Sequence, residues 1–486
     1  MTPVAEGHDG AVADAVVLDA LVTAEAALVR AYGALGAAPA SSVDGISAAL
    51  GWRGAGEIVA GHGIPVADVS AAAVAGGNPV IPLVARVKAL VPEADRLWIH
   101  RGATSQDVLD SALVLVAFRA SGLVLTGLEA TEHALAALAA SRRDEVAAAR
   151  TLTQHAVPTT VGLRAATWLR GVRRAHERLR SARRALPAQL GGAGGTLASF
   201  AEVLGSPERA LDLVPAFAAE LGLAAPDAPW HTTRWPVTEL GDALVQALDA
   251  LGVLAADVAT ASRTEIGELA EGAGGGSSAM PHKSNPASSV LIRSAALRAP
   301  QLGATLHAAA AAAVDERPDG AWHAEWPALR ELLRLALGAS AHARRLVAGL
   351  RVDEAAVART LGLTGPLIVS ERLSVALGPA LGKDAVAGLV AAAGRGEDLA
   401  ALLRAHPAAT GLDIEGLLDP ARYTGAAGLL VDRALSADRP ADPVDPAPDA
   451  VGRAADPVSD AAGRVADRAV HAPDAAGRRP SRTERP

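Results

Sequence analysis

Apolar residues recur at spacings of three and four through much of the chain, and in three stretches the pattern is sustained. These are LDALVTAEAALVRAYGALG (18–36), GLEATEHALAALAASRRDEVAAA (127–149) and LGDALVQALDALGVLAADVATASR (240–263). Each places one apolar stripe along a 3.6-residue repeat, so each predicts a long amphipathic helix packed into a bundle. Alanine and leucine dominate, β-branched runs are short and aromatics make up 2 % of the chain, a composition that favours helix. Alanine-rich faces also allow helices to approach closely. The pattern stops near Ser436. Beyond it Leu, Ile and aromatics vanish, and Asp449 to Arg453, Asp460 to Arg464 and Asp474 to Arg478 echo one another imperfectly. Such a segment buries too little apolar surface to order itself and predicts a disordered Ala/Pro/Asp/Arg tail over 436–486.

With 486 residues, half of them apolar and 20 % charged, the chain has ample material for a core, and its length suggests about three domains. A formal charge of -8 argues against nucleic acid, because phosphate binding needs a basic surface. Cysteine is absent, which excludes disulfides and thiolate metal sites, and no His/carboxylate cluster has metal-ligand spacing, so no metal is expected. The start MTPVAEGHDG lacks the basic region and apolar core of a signal peptide, and no apolar run of about 18 residues is expected to span a membrane. The expected location is the cytoplasm. GGAGG at 191–195 has no strand before it and reads as a loop rather than a nucleotide fingerprint.

The chemistry concentrates at residues 274–286, GGGSSAMPHKSNP. The chain has three lysines, Lys88, Lys283 and Lys383, against 42 arginines, and one of the three stands here. A lysine kept among so many arginines points to a compact ammonium able to donate to a carboxylate or to shift its pKa. Gly274 to Gly276 supply backbone freedom for a lid, and Asn285-Pro286 has the form of an N-cap and first helical position. A helix start beside a lysine is an expected anion site.

This loop resembles the signature of the fumarase/aspartase superfamily, whose members eliminate or add a group β to a carboxylate. The resemblance assigns proton transfer to Ser277 and carboxylate binding to Lys283 and Asn285. Two further stretches fit it. His100-Arg101-Gly102-Ala103-Thr104-Ser105-Gln106-Asp107 is similar to the first signature of the family, in which Thr104 and Ser105 grip a carboxylate and His100 approaches the reacting centre. Thr104 and Asp107 also form a capping-box pair ahead of an apolar run. Arg150 to Thr160, RTLTQHAVPTT, resembles the region that supplies Thr153 and Gln154 to substrate and a catalytic histidine. Leu152 stands where many members carry that histidine, so the role passes to His155, a residue type whose ordinary pKa near neutrality suits proton transfer. A second reading of His155 is a polar residue at a helix start before Pro158.

Val314 to Trp326, Pro229 to Thr232 and Gln189 to Thr196 look most like the carboxymuconate cycloisomerase branch, and the resemblance covers roughly residues 15 to 435. Glu316-Arg317 matches the adenylosuccinate lyase branch, in which Arg317 would hold a carboxylate, but Trp322, His323 and Trp326 replace its serine-rich continuation. Arg101 and Trp235-Pro236 depart from the branch, Arg101 being either an extra contact for a tricarboxylate or a solvated arginine. The resemblance implies an all-α enzyme with an N-terminal helical domain over 1–110, a central long-helix bundle over 111–350 and a small helical domain over 351–435. It implies a homotetramer with each site built from three chains, a small tricarboxylate substrate and no cofactor. The expected reaction is lactonisation of 3-carboxy-cis,cis-muconate. The alternatives are a carbon–nitrogen lyase of the adenylosuccinate type, which would bind a nucleotide, and a non-catalytic scaffold, which would be expected to lose the site residues present here.

Overall fold

A computed structural model describes residues 2–276, 280 and 283–436. Ser277 and, apart from Ser436, the tail expected over 436–486 lie outside the described residues; Ser436 itself closes the last helix. Helices dominate, as the periodicity predicts. The N-terminal part carries α1 (Asp14–Ala34), α2 (Ala40–Leu50), α3 (Val66–Gly76) and α4 (Val80–Leu90). Next come α5 (Ser105–Ser141), a hairpin of β1 (Val146–Thr151) and β2 (Gln154–Thr160), and α6 (Val161–Arg184). After α7 (Ala198–Leu204) and α8 (Pro207–Leu221) come α9 (Trp235–Ala261), β3 (Leu269–Ala270), α10 (Ala287–Ala311), α11 (Gly320–Ala348) and β4 (Arg351–Val352). The chain then runs through α12 (Glu354–Gly362), α13 (Ser370–Leu381), α14 (Lys383–Gly394), α15 (Leu399–Ala405), α16 (Ile414–Leu418) and α17 (Ala427–Ser436).

Five long helices close a ring in the order α5, α6, α9, α10, α11, each packing on the next and α11 returning to α5. Small residues set the spacing. A Cβ added at Gly241 of α9 would lie 2.6 Å from Leu306 of α10, and one at Gly252 would lie 2.7 Å from Ala296, so the α9–α10 seam closes only where one helix lacks a side chain. Leu373, Leu377, Val386, Leu399, Leu403 and Ile414 form a separate small core within α13 to α16. α17 packs back on α6.

Two expectations change. α5 and α9 are both long and apolar enough to cross a membrane by length and composition, contrary to the reading from runs alone. Isolated charged and polar residues, such as Asp110 and Arg119 in α5 and Gln246 and Asp249 in α9, break the runs without making the helices polar. α5 is a core helix here, with 72 % of its most apolar window buried, against 44 % for α9. The stretch before Pro158 is a strand rather than a helix start. Proline is tolerated because the sheet has only two strands, and β2 leaves an edge that needs no donor.

Half-buried His342 of α11 gives the fold an acid limit. Burial lowers its pKa most, and the positive charges of Arg345 and His8 lower it further, to about 4 from an ordinary 6.5. The folded chain therefore holds this ring neutral, while the unfolded chain takes a proton once the pH falls below 6.5. Its stabilising contribution is complete above pH 6.5 and is lost as the pH falls toward about 4. His342→Leu is expected to flatten the melting temperature over that window relative to the wild type, as measured by calorimetry at half-unit steps.

Candidate active site

At the start of α5 the expected capping box forms, with Asp107 Oδ2 accepting the Thr104 N–H at 3.0 Å. Asp107 does more than cap. It also accepts from Gly191 N at 2.8 Å and Gly192 N at 2.9 Å, and its Oδ1 meets His231 Nε2 at 2.8 Å. One buried carboxylate thus pins the Gly191–Gly195 loop against the helix start that carries Thr104 and Ser105. Arg317 reaches the same loop, donating from Nη2 to Ala193 O at 3.0 Å. His100 lies just before the helix with a φ of 60°, and its Nδ1 meets Glu25 Oε1 at 2.7 Å. Arg101 is not a free solvated side chain. Its guanidinium stacks 4.5 Å above the Trp98 ring, and its carbonyl accepts from Tyr32 Oη at 3.0 Å.

Below these residues the first turns of α5 are bolted by a buried polar network. Arg234 lies between two carboxylates, with Nη1 2.7 Å from Asp110 Oδ2 and Nη2 2.7 Å from Glu325 Oε2. Gln106 Nε2 donates to Asp110 and to His231 O, and Trp322 Nε1 donates to Asp110 Oδ1 at 2.8 Å. Trp322, which the sequence offers as a branch marker, thus serves here as a brace for the helix.

The hairpin stands at the other end of α5. Its tip, Leu152-Thr153, has φ of 49° and 71°, the sign pattern of a type I′ turn, which Asn-Gly would adopt with less strain. Thr153 and Gln154 are exposed and Leu152 is 95 % exposed. His155 Nδ1 meets Thr364 Oγ1 at 2.7 Å. Burial, then the charge of Arg150, lowers its pKa against an opposing pull from Glu268, so His155 is held as a neutral imidazole. Wholly buried Glu268 joins the hairpin to the root of the signature loop, pairing with Arg150 at 2.5 Å and Arg164 at 3.1 Å and accepting from Thr360 Oγ1. Burial alone would raise its pKa, but these partners outweigh that and lower it.

The signature loop is closed at its neck. Gly275 and Asn285 exchange both backbone hydrogen bonds at 2.8 Å. A Cβ at Gly275 would lie 3.0 Å from the Ala287 Cβ, so close approach, beyond freedom of the backbone, calls for glycine there. Asn285 is therefore not the N-cap, and α10 begins at Ala287, one residue later than the Asn-Pro pair predicts. The expected anion site at that helix start is also corrected. The buried Glu271 carboxylate already accepts Ser288 N at 3.0 Å, Ser289 N at 2.8 Å and Ser289 Oγ at 2.7 Å, which uses the first-turn donors and the positive end of the dipole. Lys283 is exposed.

Two sets of residues result. His100, Thr104, Ser105 and Arg317 gather at the first end of α5, while Thr153, Gln154, His155, Lys283 and Asn285 belong to the second. The helix between them has 37 residues, or ~55 Å at 1.5 Å per residue, so one chain does not unite the sets. The sequence reading gives no role to Glu25, His231, Arg234, Glu268 or Glu271. The available signal is a lone charge in an apolar run, as with Glu25, or polar residues spaced i, i+4 on a core helix, as with Gln106 and Asp110. Among the described residues no cluster of three or more His, Asp or Glu side chains could hold a metal.

The lyase family matches residues 68–300. Nitrosuccinate lyase of Streptomyces davaonensis is 44 % identical over 454 residues, covering 90 % of this chain and 94 % of that protein. The 3-carboxy-cis,cis-muconate cycloisomerase of Pseudomonas aeruginosa is 41 % identical over 436 residues, covering 86 % and 91 %. The crystal structure of the 3-carboxy-cis,cis-muconate lactonizing enzyme of Pseudomonas putida superposes with a TM-score of 0.77 at 34 % identity, covering 87 % of this chain and 94 % of that one. The chain belongs to this lyase family, within the fumarase/aspartase superfamily.

Proposed function

We propose that the protein interconverts 3-carboxy-cis,cis-muconate and 4-carboxymuconolactone, a step of protocatechuate degradation, in homotetramers whose sites join the two ends of different chains. The observation that carries this reading is the split of the side chains expected to bind substrate into two sets, one at each end of α5, which suits a substrate with several carboxylates held from more than one chain. Relatives at 41 % and 37 % identity bearing the cycloisomerase name support it.

In the forward step one carboxylate oxygen forms a C–O bond across the conjugated double bond. The π pair moves toward the second carboxylate, and the carbon α to that carboxylate takes a proton. Negative charge builds on the second carboxylate, where Lys283 and Asn285 would stabilise it. Ser277 or His155 delivers the proton. The acceptor is already conjugated, so the chemistry calls for no metal or organic cofactor.

A second reading has its own support. Loss of nitrite from nitrosuccinate removes a proton next to one carboxylate, breaks the neighbouring C–N bond and leaves an unsaturated dicarboxylate. The 44 % identity to a nitrosuccinate lyase favours it, and so does a neutral His155, which is ready to accept a proton. Incubation with each substrate decides. Loss of the diene absorbance of carboxymuconate supports the cycloisomerase, and nitrite release without it assigns the lyase. Either way Lys283→Met should lower turnover roughly 10²–10³-fold, the range for removing one donor to a developing oxyanion. A rise in KM alone would make the lysine a plain anchor.

A further inference from the structure

Glu25 is one charged residue in a long apolar stretch of α1, and it is wholly buried. Its Oε1 meets His100 Nδ1 at 2.7 Å, and its Oε2 is buried without a hydrogen-bond partner. A carboxylate placed in this way is costly as an ion unless a cation faces it. His100 is fixed from the other side by its left-handed backbone, a strain that persists only where the surroundings over-determine it. With Nδ1 committed and 20 % of the side chain open, Nε2 is the nitrogen left for a ligand.

We infer that Glu25 fixes His100 as an imidazolium whose Nε2–H binds a substrate carboxylate beside Thr104 and Ser105. The inference rests on the carboxylate chemistry proposed above and makes Glu25 a positioning residue, acting through His100. The groups that bear on the ring are Glu25 from α1, Asp107 from α5 and Lys88 from α4, with Arg101 turned aside onto Trp98. Burial is the largest influence and opposes the charge, as does Lys88. The Glu25 hydrogen bond and the charges of Glu25 and Asp107 outweigh them and raise the pKa of His100. The charge state decides binding, because a neutral ring donating from Nδ1 to Glu25 presents a lone pair at Nε2, which repels a carboxylate.

The test uses the full chain and the Glu25→Gln variant, which keeps the shape and removes the charge. The NMR titration midpoint of His100 is expected to fall. The dissociation constant of tricarballylate, measured by calorimetry, should rise about tenfold at neutral pH, the effect of roughly one pKa unit, and recover as the pH is lowered toward about 6. With an active substrate the same change appears in KM, with kcat nearly unchanged. A merely structural role would weaken binding without recovery at low pH, and that result overturns the inference. If Glu25→Gln does not fold, the wild type decides. Tricarballylate binding must weaken across the His100 midpoint, and a constant that is flat across it overturns the inference. Because tricarballylate is not turned over, these outcomes are separate from the question of which reaction the enzyme performs.

Discussion

Equal mixing of Thr104→Ala/Ser105→Ala chains with Lys283→Met chains should restore about a quarter of the wild-type activity, although each variant alone is nearly inactive. The first variant is damaged at the start of α5, and the second in the loop rooted at its far end, ~55 Å away. On the proposed assembly a site takes its first end from one chain and its second end from another. After random reassociation a site finds an intact first end half of the time and an intact second end half of the time. The product is one intact site in about four, with sites carrying both lesions equally frequent. Refolding the variants together, with mixed oligomers verified by native mass spectrometry, gives the measurement. If mixed oligomers form and activity stays at the level of the parents, both ends of a site come from one chain and the shared-site proposal fails.

Arg234→Met should lower unfolding stability by about 3–5 kcal/mol, the usual cost of breaking a buried ion pair from one side. Asp110 and Glu325 are 2 % and 3 % exposed, and the guanidinium between them is what makes two buried carboxylates tolerable. Burial already raises the Glu325 pKa, with Arg234 pulling it down and Asp110 pushing it up. Without Arg234 that restraint disappears, and one carboxylate must take a proton to stay buried. Urea unfolding of the variant gives the loss directly. A triple change to apolar residues at 110, 234 and 325 should recover part of it, because removing all three charges leaves none unpaired, although Trp322 Nε1 then loses its acceptor. A loss under about 1 kcal/mol for Arg234→Met would mean that water reaches the triad.

The parts legible in the sequence are those written in local patterns. The helical bundle follows from apolar spacing, and the Thr104–Asp107 capping box forms three residues apart, as the pair predicts. The parts that were missed depend on partners distant in the chain. Glu25 meets His100 across 75 positions, and Arg234 meets Asp110 across 124, and no periodicity encodes such meetings. Asn285-Pro286 misled by one residue because the backbone of Asn285 is committed to Gly275, a pairing that competes with the cap. The hairpin was hidden because its turn, Leu152-Thr153, lacks the Asn-Gly signature that normally announces one. Trp235-Pro236, odd as a motif, is ordinary as structure, since it supplies the first two residues of α9 and proline is welcome there.

The distance between the two ends of α5 also bears on how the enzyme responds to dilution. A chain whose half-sites face opposite ways carries no complete site when alone, so on the proposed assembly catalysis obeys mass action among subunits. Specific activity then depends on protein concentration, falling once the sample is diluted below the subunit dissociation constant. Substrate, by bridging two chains, would draw them back together.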